Sequence, residues 1–348
     1  LSSDVSAELH KKIAGAIEKI YKDNLGGFSE LLAYHYSYTD DYSNAVKYFV
    51  LSAERAKKIF ANESALQNYA KVVEFAGKID EPVLLAKAYF NIGSLFFTAG
   101  KLEDALRNYE LCLTLAQTNH KKDMVVPQEL PTVADCLFET GRIYRRWGQF
   151  EKALGYYKSA LDKAIEENDE KLRTRCLHRI ATIYYEKSDE KKAMECAAQG
   201  LEIALKIDDK RTQSYFYQFI GIMNKNKGDY IAAEQNLSIA LSKNKEINNK
   251  EGEAMANRFL GQLYFAQGKT GKAIELLEKT LTTMKELGDR GSECWTIKDL
   301  ADIYLHTGEL TKAQFNYARV LESAGQMGYK ILEAEVLIGL ATISRRFG

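Results

Sequence analysis

Proline is almost missing from this sequence: its three prolines, Pro82, Pro127 and Pro131, leave long stretches in which a helix meets no breaker. No apolar run approaches the roughly 20 residues that a membrane-spanning helix requires, and the opening LSSDVSAELH has no basic-then-apolar signal pattern. Charge of one sign is not in excess either. Lys plus Arg and Asp plus Glu number 48 each, which argues against a general nucleic-acid footprint and against an acidic tail. The five cysteines, at 112, 136, 176, 196 and 294, form no Cys-x-x-Cys pair and lie near no histidine at metal-ligand spacing. No metal and no cofactor is expected, and unpaired cysteines of this kind suit a reducing cytoplasm. Strand-like alternation of apolar and polar residues is absent as well.

Against these absences stands a repeat. Apolar residues make up 46% of the chain and charged residues 28%, enough apolar side chain for a core. A small residue, then Gly seven positions later, then Ala five beyond, recurs as Gly93/Gly100/Ala105, Gly141/Gly148/Ala153, Gly221/Gly228/Ala233 and Gly261/Gly268/Ala273. Ala181/Ser188/Ala193 and Ala301/Gly308/Ala313 complete a period of 40 from Gly141 to Ala341. The step from Gly93 to Gly141 is 48, and the extra residues fall in an insertion at about 118–131, around HKKDMVVPQELP. The small anchor predicts close approach of a first helix (A) to its partner (B), with the Ala of helix B facing it. The Gly ends helix A in a left-handed conformation. Tyr144, Tyr184, Tyr264 and Tyr304, with Phe96 in the same phase, read as core. So do Cys136 and Cys176, which share a phase. The linkers END (167–169), IDD (207–209), INN (247–249) and LGD (287–289) each supply an Asp or Asn able to cap the next helix. The fold class expected is all-α: tandem antiparallel helical hairpins in a right-handed superhelical solenoid, with irregular hairpins over 1–80 and a regular array over 81–348.

This pattern resembles the tetratricopeptide repeat, in a variety whose unit is 40 residues rather than the usual length of about 34. Ser188 for Gly, Asn224 for Tyr and Gly200 in helix B depart from it. Over residues 9–79 the sequence, including LHKKIAGAIEKIY and ELLAYHY, is similar to the helical segment that follows the ATPase domain in bacterial signalling ATPases and cyclase-linked regulators. The resemblance implies a partner-binding or sensor region of a larger regulator, with further domains upstream. The start at Leu1 rather than Met fits that expectation, and Leu337, Leu340 and Ile343 of the last half-unit are left without a helix B.

Motifs for chemistry are tested and fail. Gly268-Lys269-Thr270 reads like the end of a phosphate loop, but the position five before Gly268 is Leu263 and no strand precedes it. His10, His35, His120, His178 and His306 are scattered singly. Asn62-Glu63-Ser64 and Asn236-Leu237-Ser238 match the glycosylation pattern, which means little without secretion. In such an array the A helices line the concave side. Positions three before, one after and four after each anchor therefore face a groove. The candidate groove residues are Phe90, Phe97, Phe138, Arg142, Arg145, Arg175, His178, Tyr185, Gln218, Lys225, Arg258, Gln262, Phe265 and Lys298. Ser94, Thr182, Ile222, Asp302 and Leu305 fill the same phases, with Arg146 alongside. Cations, aromatics and amides against one acid, Asp302, predict an extended or helical protein or peptide of acidic character as partner, and neither nucleic acid nor membrane. The alternative is a sensor whose curvature changes with a small ligand or signalling peptide. An enzyme ranks last.

Overall fold

The computed structural model describes residues 3–59, 61–120 and 131–347. Among these residues there are seventeen α-helices, a 3-10 segment at Lys22–Phe28 and no strand. Within each unit consecutive helices pair and the pairs pack on one another, so the all-α tandem-hairpin architecture is the one read from the sequence. The insertion expected at about 118–131 falls largely outside the described residues.

The chain divides into two compact units, Leu1–Ile143 and Tyr144–Gly348. In the first unit, α1 (Ser3–Ile20) packs on α2 (Ser29–Ser37), followed by the pairs α3 (Tyr42–Lys58) with α4 (Asn62–Ala76) and α5 (Pro82–Thr98) with α6 (Leu102–His120). Helix α7 spans Val133–Arg146. Cys136 and Cys112 are fully buried with their sulfurs 3.1 Å apart.

The second unit continues with α8 (Phe150–Glu166), α9 (Glu170–Glu186), α10 (Glu190–Lys206), α11 (Lys210–Asn226), α12 (Tyr230–Glu246), α13 (Lys250–Ala266), α14 (Thr270–Glu286), α15 (Arg290–Thr307), α16 (Leu310–Gln326) and α17 (Lys330–Phe347). The origin of the period is visible here. Helices of 17 residues alternate with three-residue turns, so each half-unit is 20 and each hairpin 40. In the turn after α8, Asn168 takes a left-handed φ of 56°, and the Asp169 amide reaches back to the Ala164 carbonyl at 2.8 Å, closing the helix. Asp169 then caps α9, its side chain accepting from the Leu172 amide at 2.9 Å. Asp209, Asn249 and Asp289 do the same for α11, α13 and α15.

The small anchors permit close approach, though not onto the residue expected. A Cβ on Gly221 would lie 2.8 Å from Leu237 Cγ, one on Gly261 2.8 Å from Leu277 Cγ, and one on Gly93 2.9 Å from the Tyr109 ring. The side chain facing each anchor is thus the residue sixteen later, one helical turn beyond the Ala. At this phase Tyr109, Tyr157 and Tyr317 are almost wholly buried. The Ala181 unit has Ala197 there and lacks the bulk. Next to it, the buried Phe216 ring of α11 occupies the place a Cβ on Gly200 would need, 2.1 Å away, which explains that departure. The expected core tyrosines are placed differently. Tyr264 is buried, whereas Tyr144, Tyr184 and Tyr304 are half-buried, their rings covered by Lys152, Lys192 and Lys312 from the following B helix at 5.3, 5.5 and 5.2 Å.

Candidate functional site

In the second unit the A helices α9, α11, α13, α15 and α17 touch one another in succession. Because neighbours are offset by one repeat, side chains meet across them at separations of 37 or 41 residues. These pairings organise the candidate face.

At one end, the Arg145 guanidinium is bound by the Glu186 carboxylate. Burial works against the Arg145 charge, but Glu186 together with the nearby Tyr157 and Tyr329 hydroxyls raises its pKa. Arg146 lies over the ring of Tyr329, 4.1 Å from its centre, and donates to the Tyr329 hydroxyl at 2.5 Å. His178 packs against Tyr215 and Phe216 at 5.6 and 5.5 Å, and Phe219 meets it edge-on at 6.3 Å. Burial, then the neighbouring Arg179 and Arg145 charges, holds the His178 pKa well below the ordinary imidazole range. The Tyr185 hydroxyl accepts from the Asn226 amide, and its ring meets Phe219 edge-on.

Towards the other end runs a connected polar network. Arg258 donates from Nε to Asp299 Oδ2 at 2.5 Å and from Nη2 to Oδ1 at 3.3 Å, and both side chains are buried. Breaking one partner of such a buried pair costs about 3–5 kcal/mol. Gln262 donates to Asp299 at 2.9 Å and accepts from Lys225 at 3.3 Å. Lys298 bridges Asp302 at 3.0 Å and Glu335 at 2.7 Å, and Asp302 also accepts from the Tyr317 hydroxyl at 2.5 Å. Between α11, α13 and α15 a cavity of about 340 Å³ opens, lined by Lys225, Gln262, Phe265, Asp299, Asp302 and Ile303 among others. Phe265 stands edge-on to His306 at 5.2 Å.

The structure brings together part of the set named from the sequence. His178, Tyr185, Lys225, Gln262, Phe265 and Lys298 are half-buried on the A helices, and Arg175 is half-buried on α9. Gln218 and Arg258 are buried and hold internal bonds instead of offering open surface, Gln218 donating to Ser214. In the first unit Phe97 and Phe138 are buried, Phe90 packs on Tyr109, and Arg142 lies 4.2 Å over the Phe97 ring while paired with Glu139 at 2.5 Å. The reading of one acid against many cations needs correction. Glu139, Glu186, Asp299 and Glu335 neutralise Arg142, Arg145, Arg258 and Lys298. Three of these pairs lie 37 or 41 residues apart in sequence, the separations that stacked hairpins bring together, and outside the helical spacings of three and four.

Among the described residues no cluster of three or more His, Cys, Asp or Glu can hold a metal ion, and no helix is long and apolar enough to cross a membrane.

Three stretches of the chain match models of the tetratricopeptide repeat: residues 86–119, 137–171 and 253–326. The chain carries tetratricopeptide repeats. Among curated proteins the array is similar to Response regulator aspartate phosphatase J of Bacillus subtilis (strain 168), 22% identical over 124 residues, 35% of this chain and 31% of that protein. Outer dynein arm-docking complex subunit 4 of Homo sapiens is 31% identical over 107 residues, 31% of this chain and 14% of that one. The chain thus spans less than a third of the length of these relatives. Among solved structures the tetratricopeptide array is similar to the Rap conjugation gene regulator of plasmid pLS20 in complex with a Phr peptide, with TM-score 0.66 at 14% identity over 84% of this chain and 77% of that one. It is similar to a Rap protein complexed with Competence and Sporulation Factor, with TM-score 0.58 at 17% identity over 99% and 98%. It is also similar to a signal transduction ATPase with a tetratricopeptide repeat sensor from Pyrococcus horikoshii, with TM-score 0.50 at 19% identity over 79% and 42%. At these identities the likeness is one of fold.

Proposed function

We propose that this tetratricopeptide array is a peptide- or protein-binding scaffold without catalysis of its own, its ligand lying along α9, α11, α13 and α15. The observation that carries the reading is the cavity between α11, α13 and α15, where aromatic and aliphatic walls meet polar groups already fixed by their neighbours. The likeness of fold to a conjugation gene regulator solved in complex with a peptide, and to a Rap protein complexed with Competence and Sporulation Factor, supports it. In this reading the array serves a larger cytoplasmic regulator. The similarity of residues 9–79 to a post-ATPase segment and the likeness of fold to the Pyrococcus horikoshii ATPase support that placement.

The test is a phage-displayed heptapeptide library selected on the immobilised chain. Enriched peptides are expected to lose binding by about tenfold or more when Tyr185 and Phe265 are both replaced by Ala, the usual loss for aromatic anchors. Helical content should stay unchanged. No enriched sequence, or equal binding by the double variant, would overturn the reading. Reversing Arg142 and Arg145 is the poorer test, because each already holds an internal carboxylate.

A further inference from the structure

The cations on the face that runs from the end of α7 to α17 are not equivalent. Arg145, Arg258 and Lys298 are each committed to a carboxylate within the fold. Lys225 is not: among the described residues no carboxylate lies within ion-pair distance of its ammonium, and its hydrogen-bond partner is Gln262 Oε1 at a long 3.3 Å. An ammonium has three donors, so two remain for a ligand. Gln262 cannot turn to serve an anion itself, because its amide nitrogen is held by Asp299, which fixes the oxygen towards Lys225. Around Lys225 the cavity wall is part apolar, from Phe265, Leu277 and Ile303.

We propose that Lys225 captures one carboxylate of the ligand in this cavity, the carboxylate entering on a short aliphatic stem that rests on Phe265 and Ile303. The nature of the ligand rests on the peptide-binding reading; the site itself does not. A single charge is what fits. Asp299 and Asp302 form part of the same wall, so a phosphate with two negative charges would meet two carboxylates and one uncommitted cation. Burial lowers the Lys225 pKa, with Arg258 and Lys298 adding to the effect and Asp299 opposing it, as a cation awaiting a counter-ion in a confined space should show.

The experiment uses the full chain biosynthetically labelled with lysine carrying 13C at Cε, which leaves the ammonium unmodified, the Lys225 signal assigned by its loss in Lys225→Arg. Four probes are titrated through the millimolar range: acetyl-Glu-amide, which has only a side-chain carboxylate; acetyl-Gln, which has only a terminal one; acetyl-Gln-amide, which has neither; and inorganic phosphate. A saturable shift with one of the first two, absent with the last two, is expected, and the responding probe says whether the carboxylate is a side chain or a chain end. Probe affinity read at the Gln262 side-chain amide should fall by about tenfold or more in Lys225→Met, which removes the charge-assisted bond. A Lys225 signal unmoved by both carboxylates, or moved as much by acetyl-Gln-amide or phosphate, overturns the proposal. If the library yields no peptide while Lys225 still responds, the carboxylate site stands and the peptide reading fails.

Discussion

His178 illustrates how one side chain on this face is tuned by its surroundings. Aromatic rings from α11 surround it and two arginines lie near, so the protonated form is disfavoured in the folded chain. In the unfolded chain its pKa returns to about 6.5. A folded pKa below the unfolded one means that the unfolded state binds more protons as pH falls through about 6.5. The contribution of His178 to stability is therefore fully present above that value and is lost below it, by at most about 1.4 kcal/mol per pH unit. Two measurements follow from this sign. The His178 ring signal in NMR should stay that of neutral imidazole down to well below pH ~6.5, and His178→Phe should make unfolding less sensitive to acid. A ring that titrates at the ordinary value contradicts the packing described. In the sequence His178 is a lone histidine in a groove phase; its neutrality depends on Phe216 and Phe219, residues of the next repeat that no local pattern ties to it.

At the scale of the element, the turns decide the period, and Ser188 is the one departure among the turns closing the regular A helices. It takes a φ of 61° where Gly148, Gly228, Gly268 and Gly308 take 72–84°. A side chain in the left-handed region costs roughly 1–2 kcal/mol, and glycine would give back part of that through its greater freedom when unfolded. Ser188→Gly should therefore stabilise the second unit by about 0.5–1 kcal/mol, read as a raised urea midpoint. A lowered midpoint would show that Ser188 contributes something the backbone argument omits. Much at this scale was legible in the residues: the helix ends, the Asp and Asn caps and the 40-residue unit all follow from local chemistry. The linker residue before each cap was not read, although Asn168, Asp208 and Asn248 are the non-glycine types that tolerate positive φ best. The ion pairs across A helices were missed for a different reason. Arg258 with Asp299 and Lys298 with Glu335 are neighbours only once hairpins stack, so the face read as basic from single repeats becomes nearly balanced when assembled.

At the scale of the whole second unit, a stacked repeat array is expected to couple each hairpin to its neighbours alone, stability spreading from one interface to the next. The buried cores agree with this, passing from hairpin to hairpin, with Ile343 of α17 buried and Leu337 of the same helix half exposed. Among the described residues a long-range contact departs from this rule. Arg146 at the end of α7 meets Tyr329 before α17, 183 residues away, stacking on its ring and donating to its hydroxyl. Gly291 at the start of α15 leaves the room: a Cβ there would stand 3.0 Å from the Tyr329 hydroxyl. A stacked, charge-assisted contact of this kind contributes about 1–3 kcal/mol. Its effect on cooperativity should exceed its size, because it ties the first residues of the unit directly to the start of its last helix. Tyr329→Phe keeps the ring and removes the acceptor; Tyr329→Ala removes both. Amide exchange in α16 and α17 should quicken slightly in the first variant and clearly in the second, with α11 and α12 in the middle of the array unchanged. Equal protection of α16 and α17 in all three proteins would mean that the contact carries no coupling and that nearest-neighbour stacking alone holds the last hairpin.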